Sequence, residues 1–224
     1  MGENLEKARM LRSVSTYINR FVTDRDSGRK QVDDILNAMD RVDRKYFIDH
    51  DPYVDTALSI GHGQTISQPS TVARTLMLAE LSPGHNVLEI GGGSGWNACL
   101  IAYLVYPGKV TSAEIVPELL ELARKNLEKV KKNIDAVQRL SRLEIIHENI
   151  FETSHGTYDR IIATAGVNPE NISRIETLAD QLLKDNGILV CPYQRGPMMV
   201  MHKINGVVKT LFTQEQYAFV PLIV

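Results

Sequence analysis

The sequence predicts an α/β fold: a doubly wound, mostly parallel sheet with helices on both faces, preceded by a helical N-terminal extension and followed by antiparallel strands. Three observations lead there. From residue 85 onward, short runs rich in Val, Ile and Leu alternate with helical stretches, the order that places a parallel sheet between helix layers. The first of those runs opens into a glycine cluster, Gly91-Gly92-Gly93-Ser94-Gly95, which leads into another helix. Upstream, apolar side chains recur every three or four positions on either side of a charged break, which is the helical period.

Taken in order, Leu5, Ala8, Leu11, Val14, Ile18 and Phe21 define one face of a first amphipathic helix. A charged break at Thr23–Lys30 separates it from a second stripe, Val32, Ile35, Leu36, Met39 and Val42, which ends near Lys45-Tyr46-Phe47. Residues 48–67 lose this period, and Asp51–Gln68 reads as one long loop of the kind that is usually functional or disordered. In the next helix, Ser67 or Ser70 supplies the cap, Pro69 takes the first turn, and Val72, Leu76 and Ala79 with Leu81 form the buried stripe. Five strands follow: Asn86–Ile90, Lys109–Ala113, Leu143–Ile146, Arg160–Ala163 and Ile188–Cys191. Val200–His202, Val207–Thr210 and Ala218–Val224 read as further strands, the first two joined by Asn205-Gly206, a pair that favours a positive-φ hairpin. The plan is one domain over 1–224, with helices and loop in 1–82, a core in 83–195 and terminal strands in 196–224.

Composition excludes several classes. Twenty-five Lys plus Arg against 27 Asp plus Glu leave a net charge of -2, so no global basic field advertises nucleic acid. The longest apolar run, Ala98–Tyr106, is far short of the roughly 20 residues that cross a bilayer, and the first residues lack a signal-peptide core. We therefore expect a soluble cytoplasmic protein with neither nucleic acid nor membrane as partner. Cys99 and Cys191 are far apart in apolar surroundings, as buried free thiols are. None of the six histidines, His50, His62, His85, His147, His155 and His202, pairs at metal-ligand spacing, and no metal is assigned. The basic run Arg124–Lys132, on a helix begun by Pro117-Glu118, suits a solvated face whose bases lie at the helix C-terminus.

The glycine cluster carries the most chemistry. After the strand Val87-Leu88-Glu89-Ile90, four glycines in five residues let backbone approach a ligand and leave helix N–H groups free to meet it. Counting Gly-x-Gly-x-x-Gly from Gly91 ends on Trp96, whose bulk opposes a dinucleotide. A Gly-Lys-Ser/Thr phosphate loop is absent, and Trp96 also breaks Gly-x-Ser-x-Gly around Ser94. What remains, Glu89-x-Gly91-x-Gly93-Ser94-Gly95, resembles the loop of S-adenosylmethionine-dependent methyltransferases. Glu114 stands at the next strand's end, where a carboxylate can accept from both ribose hydroxyls; it also suits a cap before Pro117-Glu118.

Further stretches fall in one order. They are Ala38–Val42 with Tyr46-Phe47, Ser59-Ile60-Gly61-His62-Gly63-Gln64-Thr65-Ile66-Ser67-Gln68-Pro69, Leu88–Gly95, Glu114–Leu119, Tyr158–Ile162, Thr164-Ala165, Gly187–Val190 and Phe219–Leu222. With them the chain, from about residue 32 on, resembles the protein-L-isoaspartate O-methyltransferase family, and the Ser59–Pro69 stretch is its most specific match. The resemblance implies a Rossmann-like methyltransferase fold. It implies S-adenosylmethionine as cofactor, with S-adenosylhomocysteine as product, held by Glu89, Gly91, Gly92, Gly93, Ser94, Gly95, Glu114, Ile115 and Asn149. It places the catalytic serine on Ser67 and substrate contacts on Gln64, Thr65, Ile66, Thr164, Ala165 and Val220. The partners implied are proteins or peptides carrying L-isoaspartyl residues, methylated on the free carboxylate so that a succinimide forms and repair begins.

Departures from the family pattern accompany the matches. Ser70-Thr71-Val72 replaces an aromatic or His followed by Met, which makes that part of the pocket smaller or more polar. Glu148-Asn149-Ile150 replaces Gly-Asp-Gly, so an uncharged amide oxygen is left to accept from the adenine amino group. Thr164-Ala165-Gly166 stands for Thr-Ala-Ala, and the charged chain end is cut to Ile223-Val224. One other reading follows from the Ser70–Val72 and Asn149 positions, a methyltransferase for a small molecule or nucleic acid; another, which the N-terminal helix at 3–21 supports, is a cofactor-binding paralogue without transfer activity. An isoaspartyl carboxylate, with a pKa of about 3.5–4, is already ionised and needs no general base. Ser67 would orient it, and Glu89 would engage the cofactor's amine.

Overall fold

A computed structural model of the chain describes residues 2–135, 137–153 and 156–223, the side chain of Arg25 excepted. The helical extension comprises α1 (Gly2–Ile18), continued by a 3-10 turn over Asn19–Phe21, and α2 (Arg25–Arg41). In α1 the buried residues are Met10, Val14 and Ile18, spaced one helical turn apart. Leu5 and Ala8, expected on that face, are exposed. Ion pairs hold the first turns instead: Lys7 lies 3.0 Å from both Asp40 and Asp43, and Glu3 lies 3.0 Å from Lys45. The break expected at Thr23–Lys30 is shorter than its charge suggested. Asp24 caps α2 by accepting from the Asp26 N–H, and the helix runs on through Gly28. A charged, solvated helix start looks like a loop when only apolar period is counted.

The segment read as one long loop contains a hairpin. Leu58–Gly61 (β1) and Gln64–Ile66 (β2) pair antiparallel around His62-Gly63, at φ +53° and +69°. Two positive-φ residues match the twist of the flanking strands. Strands of three and four residues carry too few positions for a period of two to stand out. α3 (Pro69–Leu78) follows with Pro69 in its first turn and Val72, Leu76 and Ala79 buried. Neither Ser67 nor Ser70 caps it. Gln68 holds the N-cap position, and Asp55 reaches across to accept from the Ser70 N–H at 2.9 Å and from the Ser70 hydroxyl. A carboxylate there also meets the positive end of the helix dipole.

All five expected core strands form: β3 (Val87–Ile90), β4 (Val110–Glu114), β5 (Leu143–His147), β6 (Tyr158–Ala163) and β7 (Leu183–Pro192). They are mutually parallel in the order β5-β4-β3-β6-β7. Past β8 (Arg195–Gly196), β9 (Met198–Ile204) and β10 (Val207–Phe212) extend the sheet antiparallel from β7, joined by Asn205-Gly206 at φ +51° and +77°. The strand expected over Ala218–Val224 shrinks to β11 (Tyr217–Ala218), paired with β8. Beyond it the chain bonds to the loop after β6, the Gly166 N–H donating to the Val220 carbonyl and the Leu222 N–H to that of Gly166, at 2.8 Å each. Val224 lies outside the described residues.

The central strands β3 and β4 are buried along their whole length, as the inner strands of a doubly wound sheet require. Val87, Val110, Ile162 and Val190 join the core containing α4 (Trp96–Val105), α5 (Pro117–Lys131) and α1 to α3. Their neighbours Leu88, Ile161 and Leu189 join the core on α6 (Ile172–Leu182). α5 carries Glu118 in its first turn and Lys129 and Lys131 in its last, and Arg124 and Lys131 pair with Glu121 and Glu128 on its solvated side. Strand order reverses between β3 and β6, and the crevice at the carboxyl ends there is where open α/β sheets take ligands. Among the described residues no helix is long and apolar enough to cross a membrane. The described residues also bring no three His, Cys, Asp or Glu together as metal ligands; His155 lies outside them.

Candidate active site

A cavity of about 1020 Å³, its open mouth included, occupies that crevice. The glycine loop contributes Gly91, Gly92, Gly93 and Ser94 to its wall. Gly91 sits at φ +92°, and a Cβ there would stand 2.7 Å from Thr164 Oγ1, so both conformation and space demand glycine. Thr164 Oγ1 donates back to the carbonyls of Gly91 and Ile90, tying the loop to the end of β6. Asn126 of α5 donates to the Ser94 carbonyl at 3.0 Å and secures its other end. Gly95 lies outside the cavity lining: at φ +84° it begins α4, and a Cβ there would stand 3.2 Å from Ala123 of α5.

The two acids divide their roles. Glu114, buried at the end of β4, accepts from the Gly93 N–H at 2.7 Å through one oxygen. Its other oxygen accepts from the Ile115 and Val116 N–H groups at 2.9 Å each. Three of roughly four acceptor positions of the carboxylate are thereby filled, which moulds the loop and leaves capacity toward the cavity. Glu89 was expected at the cofactor's amine, but the structure places it behind the loop, 0% exposed and absent from the cavity wall. Period two explains this: Ile90 belongs to the cavity, so Glu89 points to the opposite face of the sheet. Asn97 donates to Glu89 at 2.8 Å and the Ser112 hydroxyl donates to its other oxygen. Burial, opposed by those two bonds, pushes the Glu89 carboxyl up to about 7.

Ile115 and Asn149 line the cavity beyond Glu114. The Asn149 amide oxygen closes a turn by accepting from the Phe151 N–H at 3.1 Å, and its nitrogen donates to Glu152 at 3.0 Å. That oxygen keeps one further lone pair.

The facing wall comes from the hairpin and α3. Gln64, Thr65, Ile66 and Ser67 line the cavity, as do Thr71, Val72 and Thr75. Ile60 leans across the loop, with Cδ1 only 3.6 Å from where a Gly93 Cβ would be. Among the described residues no hydrogen bond engages the Ser67 hydroxyl, whereas its carbonyl accepts from Arg44 at 3.1 Å. The expected change at Ser70-Thr71-Val72 is therefore split: Thr71 and Val72 reach the cavity, while Ser70 is buried against Asp55. Thr164, Ala165 and Val220 complete the wall with Phe219 and Pro221 to Ile223. All the expected site residues meet here except Glu89 and Gly95. Sequence reasoning missed Asn97, which lines the cavity itself, and Arg44, Asp55, Ser112 and Asn126, which act on the wall from other elements and belong to no contiguous motif.

Known proteins resemble this chain along most of its length. The profile of the family Protein-L-isoaspartate(D-aspartate) O-methyltransferase (PCMT) matches residues 19–224. A Protein-L-isoaspartate O-methyltransferase of Methanococcoides burtonii is 38% identical over 198 residues, covering 84% of this chain and 91% of its own. One of the same name from Pyrococcus horikoshii is 39% identical over 181 residues, covering 76% and 74%. A crystal structure from Plasmodium falciparum, described as a protein-L-isoaspartate O-methyltransferase in complex with S-adenosyl-L-homocysteine, aligns with a TM-score of 0.74. Its sequence identity is 26%, and 94% of this chain and 97% of that one are covered.

Proposed function

Because the chain belongs to the protein-L-isoaspartate(D-aspartate) O-methyltransferase family, we propose that it binds S-adenosylmethionine over the glycine loop and methylates the free carboxylate of L-isoaspartyl residues in damaged proteins. The observation that carries this reading is the meeting of Ser67, from the Ser59–Pro69 hairpin segment, and the Gly91–Ser94 loop in one cavity.

The residues fit the cofactor. The loop offers backbone and a single short side chain to the cavity, and Glu114 retains an acceptor position at the end of β4. Bound there, the sulfonium supplies an electrophilic methyl carbon and a neutral thioether leaving group. Glu114 keeps Gly93 in place and would accept a hydrogen bond from a ribose hydroxyl of the cofactor, while Thr164 pins Gly91. Glu89 acts at one remove, holding Asn97, a cavity residue, and Ser112 behind Gly92. Gln64, Thr65, Ile66, Ala165 and Val220 line the wall along which the acceptor would enter, and Asn149 would accept from the adenine amino group of the cofactor through its free lone pair.

Ser67 donates a hydrogen bond that aims the acceptor carboxylate, an arrangement that matters because transfer needs an in-line approach of about 3–3.5 Å. The acceptor oxygen gains the methyl carbon and loses its charge; no proton moves, so no base is needed. Among the described residues the cavity wall contains no His, Lys or Arg. The ester then cyclises to a succinimide that reopens partly to aspartate, which makes protein repair the role. We read 1–224 as one methyltransferase domain, acting in the cytoplasm, where its buried free thiols Cys99 and Cys191 stay reduced.

The test is methyl transfer from S-adenosylmethionine to two peptides that differ only in one isoaspartyl or aspartyl linkage. Transfer to the isoaspartyl peptide alone is expected. Transfer to neither, with cofactor binding intact, would overturn the reading and favour the paralogue without activity.

A further inference from the structure

Arg44 follows α2 in a 3-10 turn, Arg44–Tyr46, and is 0% exposed. Its guanidinium donates to five backbone carbonyls: Pro52 at 3.0 Å and Val54 at 3.1 Å through one terminal nitrogen, and Thr56 at 3.0 Å, Ile66 at 3.5 Å and Ser67 at 3.1 Å through the other. One side chain thus stitches the chain entering the β1–β2 hairpin to the chain leaving it. It also lies 5.3 Å from the ring centre of Trp96, the residue that opens α4 directly after the glycine loop. The Trp96 indole donates in turn to the Val42 carbonyl at 3.0 Å, two residues before Arg44. The acceptor wall and the cofactor loop are therefore keyed to one cation.

Charge adds a second reason. An isoaspartyl acceptor is an anion, yet among the described residues the cavity wall holds no Lys, Arg or His, and its charged members are Glu114 and Glu148. Arg44 is the cation immediately behind Ile66 and Ser67. Carbonyls, not a carboxylate, take its hydrogen bonds, and the charge of Asp55 favours its protonated form. Burial lowers its pKa to about 10, which leaves it charged at neutral pH. A trans peptide carries its N–H opposite its carbonyl. Drawing the Ile66 and Ser67 carbonyls to the guanidinium therefore turns the Ser67 and Gln68 N–H groups away from it.

Resting on the enzymatic reading above, we propose that Arg44 is the positioning residue of the acceptor side: it sets Ser67 against the cofactor loop and supplies the positive field that draws a carboxylate into a cavity without a cation of its own. Lysine keeps the charge but not the planar fork that spans two segments. Glutamine keeps some hydrogen bonding without charge.

The experiment compares wild type, Arg44→Lys and Arg44→Gln, each alone and combined with Ser67→Ala, in kcat and KM for an isoaspartyl peptide and in Kd for S-adenosylhomocysteine. In Arg44→Lys, kcat is expected to fall about tenfold at nearly constant KM, as loss of hydrogen bonds to a positioned group implies. Arg44→Gln should raise KM severalfold as well. Cofactor Kd should stay within about twofold in both, and Arg44→Lys should cost about twofold or less once Ser67 is already alanine, because the two act as a unit. Unchanged kcat and KM in both Arg44 variants, full additivity with Ser67→Ala, or loss of cofactor binding in both variants would each overturn the assignment. The last result would make Arg44 a requirement of the fold. Wild-type activity on the same peptide separates these failures from failure of the enzymatic reading.

Discussion

A hydroxyl is all that separates Ser67 from alanine, and among the described residues that hydroxyl bonds to nothing in the fold. Ser67→Ala should therefore lower kcat by about ten- to a hundredfold, the range for a hydrogen bond to a charged group, and leave S-adenosylhomocysteine affinity and Tm unchanged. Steady-state kinetics beside calorimetric binding checks this, and undiminished turnover would remove Ser67 from the mechanism. Glu89 makes a prediction about pH. Its carboxyl is raised from 4.5 to about 7 by burial, so between those values the folded protein holds a proton that the unfolded chain has released. Stability is then greatest below pH 4.5 as far as Glu89 is concerned, and its share is lost as pH rises through about 7. Glu89→Gln should abolish that fall, about 2–3 kcal/mol between pH 5 and pH 8, and denaturant titrations at those two values would reveal it. Identical pH dependence in the variant would rule Glu89 out as the source.

Among the elements, α3 depends on a side chain from another segment. Asp55 accepts from both the N–H and the hydroxyl of Ser70, doing what neither Ser67 nor Ser70 does for its own helix. Asp55→Ala should cost about 1–2 kcal/mol, the worth of a good N-cap, and lower Tm by several degrees. Thermal unfolding of the variant decides it, and an unmoved Tm would show that water replaces the carboxylate without loss. The same helix marks what could be read from sequence. Its Pro69 start and the Val72, Leu76 and Ala79 stripe were apparent because both are local signals. The five core strands were apparent too, since each is an apolar run bounded by turns. The Asp55 cap, the β1–β2 hairpin and the Arg44 clamp were hidden. They arise from pairings across a segment without period, and a single sequence carries no mark of which carbonyl a distant guanidinium will meet. Glu89 was misplaced for a related reason: the motif names the acid but not the face of the strand it occupies.

At the scale of the whole molecule, cofactor binding and folding are linked, because the cavity exists only in the native state. Excess S-adenosylhomocysteine at about 100 times its Kd adds about 2.7 kcal/mol of stability, which for a chain of this size means a Tm about 5–10 °C higher. Differential scanning fluorimetry reads this directly, and no shift at saturating ligand would contradict a cofactor site in this cavity. The cavity also collects its wall from residues as distant in the chain as Gln64 and Ile223. Its central pairing, β3 with β6, joins segments separated by more than sixty residues, and the last wall segment bonds to Gly166, in the loop after β6. During synthesis, then, the helices and the first parallel strands can emerge and assemble while the pocket still lacks a side. A nascent chain stalled before residue 219 would carry most of the sheet and a pocket open on one side, so capture of the methyl donor waits for residues 219–223.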